Sequence, residues 1–171
     1  CSSDPSQFMR EIILISFLGP DQPNQFTRLM QVLSVHSLQI LDVGQAVIHN
    51  QLTLGIVVSS DDQTATALAM KEILILAHDI GLTVRFKPIS AAEYDQWVSE
   101  GGRTRYIVTA LAPELTASHL QAVTKIVSNQ GFNIETVTRL SDRPELNGQQ
   151  NGPKRACVQF GLKGQMLDAA A

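Results

Sequence analysis

The sequence repeats its apolar pattern at an offset of 94 residues, and this constrains the fold more than any single motif. Ile13 falls on Ile107, Leu14 on Val108 and Phe17 on Leu111. Phe26, Leu29 and Leu33 fall on Leu120, Val123 and Val127, and Ile40 and Val43 on Ile134 and Val137. One constant offset over some thirty residues requires two copies of one unit in tandem. The 171 residues leave room for two small domains.

In the first copy, Glu11 to Leu18 is a continuous apolar run of strand length. Gly19-Pro20-Asp21-Gln22-Pro23 breaks it, with Asp21 as a helix cap and Pro23 suited to a first turn. Phe26, Leu29, Met30 and Leu33 make the stripe of an amphipathic helix. From Leu38 to Ile48 the period drops to two, placing Leu38, Ile40, Gly44, Ala46 and Ile48 on one face. Asn50-Gln51 reads as a turn, followed by a strand through Leu52, Leu54, Ile56 and Val58. Asp61-Asp62 cap a second helix with the stripe Ala65, Ala69, Ile73, Leu76 and Ile80, ended by Gly81. Leu82, Val84 and Phe86 form a fourth strand closed by Pro88. The order β-α-β-β-α-β is the ferredoxin-like split βαβ arrangement, so the predicted class is α+β.

Residues 90–102 link the copies, with Tyr94, Trp97 and Val98 forming one short helical turn. The first unit then covers 9–89 and the second 103–171. The second carries a strand at Tyr106-Ile107-Val108 and a helix capped by Thr116 and stopped by Gly131. Phe132, Ile134, Thr136, Thr138 and Leu140 alternate as its second strand, a polar insertion runs from Asp142 to Pro153, and Ala156, Val158, Phe160 and Leu162 form its third strand. Met166 to Ala169 reads as the first turn of a further helix, so the second unit is expected to lack its last helix and strand. Its uncovered apolar sheet predicts a partner, most simply a second copy in a homodimer.

Composition narrows the function. A net charge of −3 with 5% aromatic residues lacks the clustered cations and stacking rings of a nucleic-acid interface. No apolar run approaches the ~18 residues that cross a bilayer, so no membrane role is expected. Two distant cysteines, Cys1 and Cys157, give neither zinc spacing nor a disulfide framework, and a reducing cytoplasm is the expectation. No Asp-x-Asp pair, Gly-x-Gly-x-x-Gly run or Gly-Lys-Ser/Thr loop is present, and no catalytic residue or metal ligand is assigned. His36 and His78 fall near helix C-termini, where an imidazole is comfortable; His49 and His119 read as solvated and Cys157 as a small buried thiol.

One loop has binding character. Gly19 to Asn24 joins a strand to a helix start, where unpaired N–H groups and the helix dipole favour a carboxylate or phosphate. Gly19 allows close backbone approach. The equivalent loop of the second copy, Ala112 to Thr116, has no glycine and carries Glu114.

The tandem units, the Gly19-Pro20-Asp21-Gln22-Pro23 loop and Gly131-Phe132-Asn133-Ile134 resemble ACT domains, regulatory modules that sense amino acids. More narrowly, Arg105 to Leu111, Gln130 to Glu135, Thr138 to Ser141 and Arg155 to Phe160 resemble the amino-terminal tandem ACT region of the bacterial phosphoserine phosphatases. The resemblance implies a regulatory, dimerising module for hydrolysis of L-phosphoserine in serine biosynthesis. It also implies a magnesium-dependent catalytic domain of the haloacid dehalogenase type outside this sequence, and no cofactor within it. An amino-acid effector such as serine would be held by Gly19, Asp21, Asn24 and Asn133. Two positions depart from the family pattern: Asn24 stands where many ACT loops have glycine, and Ser37-Leu38-Gln39-Ile40 replaces Gly-x-Asn-Ile. The alternative is a stand-alone ACT regulator with no attached enzyme.

Overall fold

The computed structural model describes residues 10–101, 105–144 and 155–164. Its backbone contacts divide the chain between Val98 and Ser99 into two compact units. The first contains β1 (Glu11–Pro20), α1 (Gln25–Val35), β2 (Gln39–Ile48), β3 (Gln51–Ser60), α2 (Gln63–Asp79) and β4 (Thr83–Ile89). α3 (Ala91–Gly101) carries the chain across the division. β5 (Arg105–Ala112), α4 (Ala117–Asn129), β6 (Asn133–Arg139) and β7 (Ala156–Lys163) build the second. The class is α+β, with tandem ferredoxin-like units. The sequence-predicted turn at Met166 to Ala169 and most of the Asp142–Pro153 insertion lie outside the described residues.

In the first unit an antiparallel sheet of order β2-β3-β1-β4 places β1 centrally. Period two in β1 and β3 sends Ile13, Ile15, Phe17, Leu54, Ile56 and Val58 to the helix side, where Leu29, Leu33 and Ile73 meet them. Burying each large side chain there contributes about 1.5–3 kcal/mol. Ala69 and Ala77, fully buried, let α2 lie close to the sheet. Asp62 caps α2, its carboxylate accepting from the Thr64 and Ala65 amides. Phe26, expected in the α1 stripe, is instead 40% exposed. The strand β4 continues through Pro88 rather than stopping there, because an edge strand can spare one N–H.

Two strands differ from simple alternation in the same way. The β2–β3 register slips between Ile40 and Asp42, and the β6–β7 register between Ile134 and Thr136. The extra residues, Leu41 and Glu135, occupy the same repeat position, so the bulge belongs to the unit. Each bulge reverses the facing of the residues after it. Val43, Gln45 and Val47, opposite Ile56, Leu54 and Leu52, therefore take the helix side in place of Gly44, Ala46 and Ile48. Likewise Val137 joins Ile134 on the core face, and Thr136 and Thr138 turn away. Glu135 lies 3.6 Å from Lys163 Nζ and 3.9 Å from Arg105 Nε.

Helices α1, α2 and α4 each end in a Schellman motif. Leu38, Leu82 and Phe132 donate to Leu33, Ala77 and Val127, across left-handed residues Ser37, Gly81 and Gly131. Ser37 alone of the three pays the Cβ cost of φ 56°. Replacing Ser37 with glycine is expected to stabilise the first unit by about 0.5–1 kcal/mol. A urea midpoint that falls in Ser37→Gly contradicts this. The β2–β3 turn is centred on His49 and Asn50, both at positive φ, one residue earlier than Asn50-Gln51.

The connecting segment is a three-turn helix rather than a single turn. Ser90-Ala91-Ala92-Glu93 forms a capping box: Glu93 Oε2 accepts from the Ser90 amide at 2.8 Å and hydroxyl at 2.9 Å, and Ser90 Oγ accepts from the Glu93 amide. The Ser90 N–H, then its hydroxyl, hold the Glu93 carboxyl below the usual glutamate range. Tyr94 and Trp97 pack as a tilted pair, with ring centroids 5.7 Å apart and planes at 59°.

Candidate functional site

The Gly19–Asn24 loop lies where β1 ends, beside the β2–β3 turn and the α2–β4 junction. Three contacts fix it there. The Asp21 amide donates to Asn50 O at 2.8 Å, tying the loop to the hairpin. Gly19 packs directly on the α2–β4 junction: a Cβ at this position would stand 2.8 Å from Gly81 O and 2.9 Å from Leu82 Cδ2. The side chain of Gln25, only 4% exposed, then joins loop to junction. Its Oε1 accepts from the Gln22 amide at 2.9 Å, and its Nε2 donates to Pro20 O at 3.0 Å and Ile80 O at 3.4 Å.

The capping expectation for Asp21 is corrected. The N-cap of α1 is Asn24, and α1 begins at Gln25, two residues after Pro23. Asn24 is left-handed, φ 65° and ψ 1°, and makes no side-chain cap bond. An N-cap side chain reaches the first-turn amides from extended backbone, and left-handed geometry aims it elsewhere. The same geometry explains why glycine suits this position and why asparagine is the tolerated substitute. The Asp21 and Asn24 side chains are exposed, so the loop offers a carboxylate, an amide and the first-turn N–H groups of α1 at one surface.

Gly19, Asp21 and Asn24 thus share one loop of the first unit. Asn133, the fourth sequence-predicted site residue, opens β6 of the second unit opposite Lys163 and is exposed. Its repeat equivalent, Gln39, accepts through Oε1 from the Arg10 guanidinium. Gln25 was not singled out from sequence, although a glutamine at the first position of a helix after a glycine loop is the available signal.

Elsewhere, His36 at the α1 C-cap lies 3.1 Å from Glu72 of α2. His119 contacts Glu114 O from the first turn of α4. Cys157 is half-buried, its amide held by Ser141 Oγ. A cleft of about 750 Å³ opens beside the start of β1, lined by Arg10, Glu11, Ile12, Leu41, Gln63 and Tyr94 among others. It contains none of the four predicted site residues, and the ten residues of β1 separate it from the loop by roughly 30 Å. Among the described residues no group of three His, Cys, Asp or Glu side chains could hold a metal, and no helix is long and apolar enough to cross a membrane.

A four-stranded antiparallel sheet under two helices, with a glycine loop from its central strand at one end, defines a ferredoxin-like unit. Residues 11–87, within the first unit, match the sequence model of the ACT domain. It is 31% identical over 133 residues to phosphoserine phosphatase SerB2 of Mycobacterium tuberculosis, an alignment covering 77% of this chain and 31% of that protein. The chain thus spans about a third of that relative's length. Two solved structures share the fold across both units. An unknown protein from Galdieria sulphuraria superposes with a TM-score of 0.64 at 15% identity, covering 90% of this chain and 81% of its own. A protein described as a glycine cleavage system transcriptional repressor superposes at 0.62 and 11% identity, covering 91% and 81%.

Proposed function

We propose that this chain is the regulatory, dimerising region of an L-phosphoserine phosphatase and that it senses an amino acid such as serine. The observation that carries the enzyme assignment is the 31% identity to a phosphoserine phosphatase over 77% of the chain. In this reading the magnesium and the catalytic carboxylates belong to a separate hydrolase domain.

The loop supports the sensing role. First-turn N–H groups of α1 and the helix dipole suit the carboxylate of an amino acid. The exposed Asp21 carboxylate, close by in sequence, suits its ammonium. An effector would regulate by binding two arrangements of the units with different affinity, a coupling typically of ~1–3 kcal/mol. The dimer is supported by apolar side chains left on the second sheet, where Ile107 and Leu111 are 69% and 70% exposed.

Titration calorimetry of this chain with L-serine and with glycine is expected to give a binding isotherm for at least one. Asp21→Ala should weaken it by tenfold or more through loss of the ammonium partner. No heat from either ligand removes the sensing role. Light scattering should return twice the chain mass, and a monomer at every concentration removes the dimer.

A further inference from the structure

We propose that Gln25 is a positioning residue that makes the β1–α1 loop and the α2–β4 junction a single mechanical body, so that a displacement of one is imposed on the other. A buried primary amide is costly unless its donors and acceptor are met. Here the Gln25 amide meets three backbone groups on both sides of the gap: Gln22 N and Pro20 O in the loop, and Ile80 O at the end of α2. It lies 55 residues from Ile80 in sequence, so this is a tertiary bolt rather than a local cap.

The second connection is independent of it. With no Cβ, Gly19 sits against two backbone atoms of the junction, Gly81 O and Leu82 Cα, as well as Leu82 Cδ2, so it has no side chain of its own to absorb movement. Beyond the junction, the amides of Gly81 and Leu82 close the Schellman motif of α2 onto His78 O and Ala77 O. Moving the loop must therefore strain or open that motif, and α2 spans the core face of the sheet. The coupling deepens the sensing role proposed above, because it names where occupancy of the loop would be registered. It is a property of the fold and can be measured without an effector.

The test is native-state amide hydrogen exchange on the full chain, comparing wild type with Gln25→Met and Gln25→Glu. Methionine keeps length and flexibility and removes all three bonds. Glutamate keeps an acceptor for Gln22 N and leaves at most one donor, a protonated carboxyl O–H, in place of the two N–H groups that serve Pro20 O and Ile80 O. In Gln25→Met the amides of Gln22, Gly81 and Leu82 should exchange at least tenfold faster, beyond any uniform change across the first unit. In Gln25→Glu the Gly81 and Leu82 amides should accelerate by more than Gln22. If Gln22 accelerates while Gly81 and Leu82 keep their wild-type rates, the bolt is local and the proposal is overturned. Uniform acceleration of the whole first unit overturns it as well, since it reports stability alone. Adding L-serine to wild type separates the two ideas. Slowed exchange at Gly81 and Leu82 supports both. No response to serine, with the Gln25 effects intact, ends the sensing role and leaves the coupling standing.

Discussion

Phe160→Ala is expected to cost about 3–5 kcal/mol and to abolish the cooperative folding of the second unit. Phe160 is fully buried at the centre of β7, opposite Val108 of β5 and Val137 of β6. Around it the core is small. Among the described residues its fully packed members are Val127, Val158, Phe160 and Leu162. A unit of this length holds roughly 4–11 kcal/mol in total at typical per-residue stability. The substitution removes a large share of that. Phe17→Ala in the first unit deletes the same ring from a cluster of fifteen buried residues and should cost a similar amount without unfolding it. Amide NMR distinguishes the outcomes. β5, β6 and β7 should lose their dispersed resonances in Phe160→Ala, while β1 to β4 keep theirs in Phe17→Ala. A second unit that stays folded in Phe160→Ala, within about 1 kcal/mol of wild type, would show that its core extends beyond these side chains.

The repeat carries the fold into view because burial acts on periodicity, and both units bury the same face. Strand order, helix stripes and the glycine caps at Gly81 and Gly131 follow from residues within a few positions of each other. What escaped a period-two reading is the bulge, since one inserted residue reverses every later side chain. Its signature was nonetheless present twice. Ile40 and Val43, like Ile134 and Val137, are three apart, a spacing that regular pleating sends to opposite faces. The capping box Ser90-Ala91-Ala92-Glu93 was equally local and marks α3 as a true helix.

The candidate site was legible only in part. Gly19 follows from loop chemistry, because close backbone approach favours a residue without a Cβ, whereas Asn24 is placed by the family resemblance alone and its left-handed backbone shows only in the fold. The role of Gln25 depends on Ile80, which only the folded chain brings within 3.4 Å. The Asp21 amide likewise meets Asn50 across the hairpin rather than along the chain. Tertiary hydrogen bonds of polar side chains leave no period to read, so the loop's position could be expected while its anchorage could not.

Gly19→Ala tests that anchorage with a single methyl group. The added Cβ would fall 2.8 Å from Gly81 O and 3.3 Å from Leu82 Cα, both backbone atoms, and 2.9 Å from Leu82 Cδ2. A side-chain tip can rotate aside, but a Schellman turn at the end of a packed helix cannot do so without moving the helix. Overpacking of this kind typically costs about 1–3 kcal/mol. Gly44→Ala supplies the control, since nothing lies within 4 Å of its Cβ position on the edge strand β2. Alanine there should be neutral or slightly stabilising, because it narrows the unfolded ensemble without a clash. The urea midpoint should therefore fall in Gly19→Ala and stay level or rise in Gly44→Ala, for the same chemical change. The effect of Gly19→Ala should also concentrate at the loop and the α2–β4 junction, where exchange of the Gly81 and Leu82 amides rises above that of the strands. If Gly19→Ala matches Gly44→Ala in stability, the loop and junction are not in rigid contact. The close approach that positions Asp21 and Asn24 would then not be a constraint on the site at all.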